Sequence, residues 1–135
     1  MISWVHTSSA HSSENHIRDY IDKLPANEVF YDLGACLGWF SLYAGSKGLK
    51  AYAFEVNPHN YRGLKENLEK NPNLRQNVKI FQKGIADSKK EVSLRYRSSF
   101  PGDHNSTLDV DNFGNTSQTV NNSHVEKVQV DSLDT

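Results

Sequence analysis

The sequence predicts an α/β fold, in which a mostly parallel sheet is flanked by helices. Short β-branched and aromatic runs alternate with stretches of helical spacing, in the order α-β-α-β-α-β over residues 17–85. Glycine, proline or an asparagine–proline pair marks several of the junctions between them. A single domain, residues 1–135, is expected because a chain of this length buries only about two-thirds of its unfolded surface.

The first eleven residues are predicted to be an irregular segment. Residues 1–11 show little periodicity, although Ile2, Trp4 and Val5 are apolar enough to dock on the rest of the fold. The alternation that starts at Trp4 is compatible with a strand and equally with a lid over a ligand. Both interpretations stay open at the level of sequence.

Alternating helices and strands are predicted from residue 17 to residue 85. The first helix has apolar residues at helical spacing over residues 17–24, with Ser12 or Ser13 as its N-cap and Pro25 as its end. After it the sequence predicts a strand at 29–33, a helix at 39–47, a strand at 50–56, a helix beginning at Asn57–Pro58 and a strand at 77–85. This order is typical of a parallel sheet.

The C-terminal part differs in character. Residues 91–97 and 125–130 alternate apolar and polar residues, which predicts an antiparallel strand pair near the C-terminus. Between them, residues 98–124 are predicted to form a long polar loop, since 13 of these 27 residues are Ser, Thr or Asn. A loop of this length is usually functional or disordered, and a substrate-facing role and a plain surface loop both stay open.

Composition excludes several classes of protein. Fifteen basic and sixteen acidic residues give a net charge of −1, which argues against nucleic-acid binding through phosphate neutralisation. The single cysteine, Cys36, excludes an intramolecular disulfide framework and a cysteine-rich zinc site, and no metal site is predicted. There is no apolar run of roughly 18 residues and no signal-peptide pattern, so we expect a cytoplasmic protein without a membrane partner.

The most informative stretch runs from Asp32 to Phe40 and reads Asp-Leu-Gly-Ala-Cys-Leu-Gly-Trp-Phe. At a strand-to-helix junction, glycines allow a sharp turn and the close approach of a ligand to the backbone. The spacing Gly-x-x-x-Gly departs from the Gly-x-Gly-x-x-Gly of dinucleotide enzymes, and a triphosphate-binding Gly-x-x-x-x-Gly-Lys-Ser/Thr run is absent. The stretch predicts a ligand-binding turn and disfavours a nicotinamide cofactor.

A second signal is Glu55, which lies 21 residues beyond Gly34 at the end of the second predicted strand. The carboxyl ends of neighbouring parallel strands meet at one edge of a sheet, so this carboxylate is expected beside the glycine turn. A carboxylate there can accept both hydroxyls of a ribose. The alternative interpretation is a solvated strand terminus.

Three runs resemble FkbM-type S-adenosylmethionine-dependent methyltransferases. They are Val29–Ser41, Ala53–Pro58 and the pattern Tyr61-x-x-Leu64-x-x-Asn67, and the resemblance spans about residues 26–135. It implies a Rossmann-like fold corresponding to the N-terminal part of a class I methyltransferase, with S-adenosylmethionine as cofactor. It further implies O-methylation of a small-molecule or carbohydrate hydroxyl.

The resemblance also implies a cofactor site with three parts. The part near the methionyl group comprises Asp32, Gly34, Ala35, Gly38 and Trp39. The ribose and adenosine part comprises Glu55 and Asn57, and the adenine wall comprises Gly84, Ile85, Ala86 and Asp87. Three neighbours in the chain complete the implied set, namely Cys36, Phe40 and Val56.

The sequence departs from the family at its C-terminal end. Residues 125–134 resemble a stretch of the family that ends in a Leu-Asp pair, here Leu133 and Asp134. Family members continue into a fourth parallel strand with an Asp-Val-Glu-Gly-like motif, whereas this sequence stops at Thr135. A half-sheet would leave an open parallel edge, which proteins normally cover. We therefore expect a C-terminally truncated chain, a complementing chain or a homo-oligomer.

No catalytic group stands out by its spacing. Methyl transfer from a sulfonium needs positioning and desolvation more than acid–base groups, although an oxygen nucleophile would often need a base. The best motivated candidates are His104, Asp103 and Asn105, because they lie in the long loop. A function of another class, a non-catalytic cofactor-binding or assembly module that needs a partner chain, remains the alternative.

Overall fold

The computed structural model describes residues 1–7, 14–104, 106–109 and 124–134. Within these ranges the chain forms three α-helices and seven strands. They are α1 (Asn15–Lys23), β1 (Val29–Leu33), α2 (Trp39–Ser46), β2 (Lys50–Phe54), α3 (Pro58–Glu69), β3 (Val78–Phe81), β4 (Gly84–Ile85), β5 (Lys90–Tyr96), β6 (Thr107–Asp109) and β7 (His124–Asp131). A short 3-10 turn, Pro72–Leu74, follows α3.

The first sheet is parallel and has the order β1-β2-β3. Helix α2 connects β1 to β2, and helix α3 together with the 3-10 turn connects β2 to β3. This confirms the predicted α/β class, because parallel neighbours joined by helical crossovers are its defining unit. The order 3-2-1, with a glycine turn after β1, is that of one half of a Rossmann-like sheet.

The second sheet has the order β4-β7-β5-β6. Strand β5 pairs antiparallel with β7 over seven residue pairs, from Lys90↔Val130 to Tyr96↔His124, which confirms the predicted antiparallel pair. Strand β4 runs parallel to β7, whereas β6 pairs antiparallel with the other edge of β5. Strand β6 lies inside the stretch 98–124, for which the sequence predicts only a loop.

The predicted strand at 77–85 is wrong as a single element. The structure divides it into β3 and β4, which belong to different sheets. The parallel pairing of β2 and β3 ends at the pair Phe54↔Phe81, so the chain leaves the first sheet there and Gly84 joins Val130 in the second. The same end of pairing explains why β2 stops at Phe54, two residues before the predicted end.

The N-terminus of α3 is capped as the sequence predicts, whereas that of α1 is not capped by Glu14. Asn57 caps α3 with its side-chain oxygen, which accepts from the backbone N–H of His59, and Pro58 occupies the first turn as predicted. Helix α1 begins after Glu14, which makes no side-chain cap bond. The predicted caps Ser12 and Ser13 lie outside the described residues.

All three helices contribute to a core on one face of the parallel sheet. The sheet presents small or β-branched side chains there, so the helices can approach closely. The buried cluster comprises Ile21, Ala35, Leu42, Ala44, Leu49, Ala51, Ala53, Leu64, Leu68, Leu74 and Val78. The carboxyl ends of β1 and β2, with the segments that follow them, lie at one edge of this core.

Candidate functional site

The glycine turn, residues 34–38, connects β1 to α2. The backbone N–H groups of Gly34 and Ala35 both donate to the carbonyl of Phe54, at 2.9 and 3.0 Å, which fixes the turn against the end of β2. Gly34 and Gly38 both have φ of +82°, and Cys36 between them has φ of +51°. The chain therefore takes three left-handed residues within five positions, a conformation that favours glycine.

The two glycines serve different purposes. A Cβ atom at Gly34 would meet no atom within 4 Å, so the backbone there is open to a ligand. A Cβ atom at Gly38 would lie only 2.2 Å from Cδ1 of Leu64, so that glycine lets α3 pack closely on the turn. Gly34 therefore leaves space for a ligand next to the turn, and Gly38 allows close packing of the turn on α3.

Glu55 links the turn to the start of α3. It directly follows β2, and only 5% of the residue is exposed. Its Oε2 accepts from the backbone N–H of Cys36 and its Oε1 from that of Asn57, both at 2.7 Å. Burial raises the pKa of the Glu55 carboxyl, while these backbone donors act in the opposite direction. Glu55 is therefore buried directly after the end of β2, so the alternative of a solvated strand terminus is wrong.

A second carboxylate, Asp32, lies on β1, two residues before the turn. The Ser41 hydroxyl, in the first turn of α2, donates to Oδ2 of Asp32 at 2.5 Å. Burial raises the pKa of the Asp32 carboxyl, and the Ser41 hydrogen bond partly offsets that effect. The charge of Asp32 in turn raises the pKa of Glu55, although burial has the larger effect. The turn is thus flanked by two desolvated carboxyl groups.

Cys36 is a structural thiol in this turn. It is 7% exposed, and burial together with the charge of Glu55 raises the pKa of its thiol to about 12. A thiol of that pKa stays protonated at neutral pH and is a poor nucleophile. Its Sγ lies 4.0 Å from Nε2 of His104, so the predicted polar loop reaches the glycine turn.

The loop after β5 is held at the start of α3 by two asparagines. Asn60 accepts from the backbone N–H of Gly102 at 2.8 Å and donates to the carbonyl of Asp103 at 2.7 Å. Asn57 donates through Nδ2 to the Ser106 hydroxyl at 2.8 Å. These bonds place the loop beside the turn.

The three candidate catalytic residues have different surroundings. His104 contacts Cys36 at the turn. The carboxylate of Asp103 accepts from the backbone N–H groups of Arg97 and Ser98, so it shapes the loop. Asn105 lies outside the described residues. The contact with Cys36 thus brings His104 to the glycine turn.

The two aromatic residues after the turn pack on other parts of this chain. Trp39 stacks on Trp4, with ring centroids 4.7 Å apart, and Phe40 packs against the hydrophobic core. The structure therefore pairs Trp39 with the first segment of the chain. This contact settles that residues 1–7, predicted as irregular, dock on the fold without forming a strand of either sheet.

Of the implied adenine wall, residues 84–87, only the first part lies near Glu55 and the glycine turn. A Cβ atom at Gly84 would lie 3.3 Å from Cγ2 of Val56, so β4 begins next to the residue that follows Glu55. Ile85 pairs with Asp131 in β7, and the Ala86 N–H donates to the carbonyl of Asp131. Asp87 is exposed and its carboxylate lies 3.0 Å from the Lys90 ammonium, which lowers its pKa. Gly84 is therefore next to the site, and Asp87 lies in the connection between β4 and β5.

Sequence reasoning missed a row of buried asparagines on α3 and just after it. Asn60, Asn67 and Asn71 are only 2, 0 and 4% exposed. Their spacing of seven and four residues matches the apolar face marked by Leu64, which is the signal that could have found them. A polar residue at an inward position of a helix needs hydrogen-bond partners, and here the partners are backbone groups.

No helix in the described ranges is long and apolar enough to cross a membrane. In those same ranges, no group of three or more His, Cys, Asp or Glu side chains is arranged to hold a metal ion.

Comparison with known proteins gives a partial match. No family model matches the sequence. Over 90 residues the chain is 41% identical to the methyltransferase sdnD of Sordaria araneosa, a match that covers 65% of this chain and 34% of the relative. The solved structure of a precorrin-6y C5,15-methyltransferase from Geobacter metallireducens GS-15 aligns with a TM-score of 0.48 and 19% identity, over 59% of this chain and 44% of that one. The match thus spans about a third of the length of the curated relative, and the chain is similar in sequence to a methyltransferase.

Proposed function

We propose that this chain forms the cofactor-binding part of an S-adenosylmethionine-dependent methyltransferase. The observation that carries the proposal is the buried Glu55 carboxylate, which lies after β2 and is bonded to the glycine turn after β1. A carboxylate beside such a turn is the arrangement with which nucleotide-binding sheets hold a ribose. The 41% identity to a methyltransferase over 90 residues supports the same proposal.

The residues present fit this cofactor. The backbone at Gly34 has no atom within 4 Å of a Cβ position, which leaves room for a group lying along the turn. The Glu55 carboxylate accepts from the backbone N–H groups of Cys36, Asn57 and Val56, and a carboxylate has about four acceptor positions, so one remains for a ribose hydroxyl. The spacing Gly-x-x-x-Gly differs from that of nicotinamide-binding turns.

The reaction places modest demands on the protein. When bound, S-adenosylmethionine supplies a methyl group activated on a sulfonium. The residues of this chain would orient the reactants and exclude water, which are the main contributions to in-line displacement. We propose a hydroxyl of a small molecule or carbohydrate as the acceptor, on the basis of the resemblance of the sequence to FkbM-type enzymes. His104, beside Cys36, is then the candidate to take the hydroxyl proton.

Calorimetric titration tests the proposal. S-adenosylmethionine and S-adenosylhomocysteine should bind saturably, whereas a nicotinamide dinucleotide should give no signal. Glu55→Ala should abolish measurable binding, because it removes the ribose acceptor and the bonds that hold the turn. Glu91→Ala is the matched control, since Glu91 is an exposed carboxylate on β5 and should leave affinity unchanged. Equal affinity of wild type and Glu55→Ala would refute the assignment.

A second candidate function is an assembly module that needs a partner chain. The observation in its favour is a row of apolar side chains on β1: Val29, Tyr31 and Leu33 are 47, 55 and 53% exposed. Contiguous exposed apolar surface is typical of interaction sites. Sedimentation analysis over a range of concentrations tests this function. A discrete oligomer that Tyr31→Lys dissociates supports it, and a monomer at all concentrations with full cofactor affinity contradicts it.

A further inference from the structure

The first seven residues form a strap, residues 1–7, which lies along the inner side of α3 and the residues after it. Asn71 accepts from the backbone N–H of Ser3 at 2.8 Å and donates to the Ser3 carbonyl at 2.6 Å. Four residues earlier, Asn67 accepts from the N–H groups of Val5 and His6, both at 2.9 Å. The two side chains therefore hold the strap through its backbone.

Asn67 also binds the glycine turn. Its Nδ2 donates to the carbonyl of His6 at 3.1 Å and to that of Leu37 at 3.0 Å. Asn67 is fully buried, and its amide makes four bonds, which is the capacity of two donors and two acceptor positions. One side chain thus joins the strap to the turn, and without it the buried Leu37 carbonyl would lose this donor.

The strap makes further contacts on both sides of this link. Trp4 stacks on Trp39, the first residue of α2 and the one that follows the turn. His6 pairs with Glu66, the neighbour of Asn67 on α3. The strap is therefore fixed to α3 and to the start of α2, the two elements between which the glycine turn lies.

We propose that Asn67 is a positioning residue that makes the conformation of the glycine turn depend on the docked strap. Undocking of the strap removes three of the four partners of the Asn67 amide and the ring that covers Trp39. The amide then no longer has a fixed orientation towards Leu37, and the turn opens more often. The consequence for cofactor affinity rests on the proposed function, whereas the coupling of strap and turn does not.

The chain contains reporters for both ends of this link. Cys36 is the only cysteine and lies in the turn next to Leu37, so its rate of reaction with a thiol reagent measures how often the turn opens. The chain has two tryptophans, and they are the stacked pair, so their near-ultraviolet circular dichroism measures strap docking. Neither measurement requires a cofactor.

Asn67→Ala and Asn71→Ala form a matched pair of variants. Both remove an asparagine that binds the strap, and only Asn67 contacts the turn. Asn67→Ala should raise the labelling rate of Cys36 by at least about tenfold and weaken S-adenosylmethionine binding by a similar factor, as expected for a buried carbonyl that loses its partner. Asn71→Ala should change the labelling rate less than about twofold. Equal acceleration in both variants, with the tryptophan signal of the docked strap retained, would overturn the proposal, because it would indicate general loosening of α3.

A rescue experiment isolates the strap. A chain lacking residues 1–7 should label quickly at Cys36, and the peptide Met-Ile-Ser-Trp-Val-His-Thr, added in trans, should restore slow labelling and the tryptophan signal. Restoration of the tryptophan signal without slower labelling would overturn the coupling. If the shortened chain does not fold, the labelling rates of Asn67→Ala and Asn71→Ala alone test the coupling of strap and turn. Wild type that binds no cofactor but shows the expected labelling pattern would refute the proposed function and leave the coupling standing.

Discussion

The two faces of the parallel sheet are built differently. The helix face, comprising Phe30, Asp32, Ala51, Ala53, Val78 and Ile80, is covered by the helices. The open face comprises Val29, Tyr31, Leu33, Lys50, Tyr52, Phe54, Lys79 and Phe81. Its apolar residues on β1 remain about half exposed, although parallel sheets are usually covered on both faces.

The side chains explain the difference. Ala51 and Ala53 at the centre of the helix face are fully buried, and their small size lets α2 lie close to the sheet. The open face carries a group of large rings that pack on one another, such as Phe54 and Phe81 with centroids 4.9 Å apart. Among the described residues, the helices cover the helix face, whereas Phe54 on the open face packs on the rings of Tyr31 and Phe81.

The largest expected difference between the faces comes from two leucines. Leu42 on α2 is fully buried against the helix face, whereas Leu33 on the open face is 53% exposed. Leu42→Ala should lower the free energy of unfolding by about 2–5 kcal/mol because it leaves a cavity. Leu33→Ala should change it by less than about 0.5 kcal/mol. Urea unfolding of dilute protein measures both, and a similar cost for Leu33→Ala would indicate that the open face is covered in solution.

Much of the helix face could be predicted from sequence, because its determinants are local. The run Val29–Leu33 is a strand with the predicted bounds, and Asn57 caps α3 as expected. Both depend on residues that are adjacent in sequence. The glycine turn was predicted for the same reason, although nothing in the sequence indicated that Cys36 would take a positive φ.

What could not be predicted depends on partners far along the chain. The break between β3 and β4 arises because β4 pairs with β7, more than forty residues away in sequence. Asn67 belongs to the family pattern in the sequence, yet three of its four partners are in the strap, up to 62 positions away. Asparagine on a helix normally faces solvent. The burial of Asn67 therefore cannot be predicted without the position of the strap backbone to which it is bonded.

A smaller effect should follow from the start of α3, one of the helices that cover the helix face. Asn57→Ala removes the cap bonds to α3 and the bond to Ser106, and should cost about 1 kcal/mol of unfolding free energy. Asn57→Ser should recover most of that loss, because serine caps helices about as well as asparagine. Failure of serine to recover stability would show that the link to the loop, and not the cap, is what α3 requires.

The helix face also contains a carboxylate, and this gives it a pH dependence. Burial raises the pKa of Asp32 above its ordinary value of 3.8, so the folded chain binds a proton more tightly there than the unfolded chain. The stability that this proton provides is complete below about pH 3.8 and is lost as pH rises through the folded-state pKa. Asp32→Asn should therefore gain stability relative to wild type as pH rises from 4 towards neutrality.

A second variant checks the sign of this effect. The Ser41 hydroxyl donates to Asp32 and lowers its pKa, so Ser41→Ala should make the decline of stability with pH steeper. Urea unfolding at several pH values measures both variants. A constant difference between wild type and Asp32→Asn across this range would mean that the carboxylate is not desolvated beneath α2.

The smallest expected effect lies on the open face. The Lys79 ammonium lies 5.7 Å from the centroid of the Tyr52 ring, and Lys79 is exposed. A double-mutant cycle with Lys79→Ala and Tyr52→Leu should give a coupling of about 0.5 kcal/mol in dilute solution, as for an exposed cation–π pair. If a second layer covers the open face at high protein concentration, the same pair is desolvated and its coupling should rise to about 2 kcal/mol. If the coupling energy of Lys79 and Tyr52 does not depend on protein concentration, the open face remains exposed to water. The difference between a covered helix face and an exposed open face would then hold for the chain in solution.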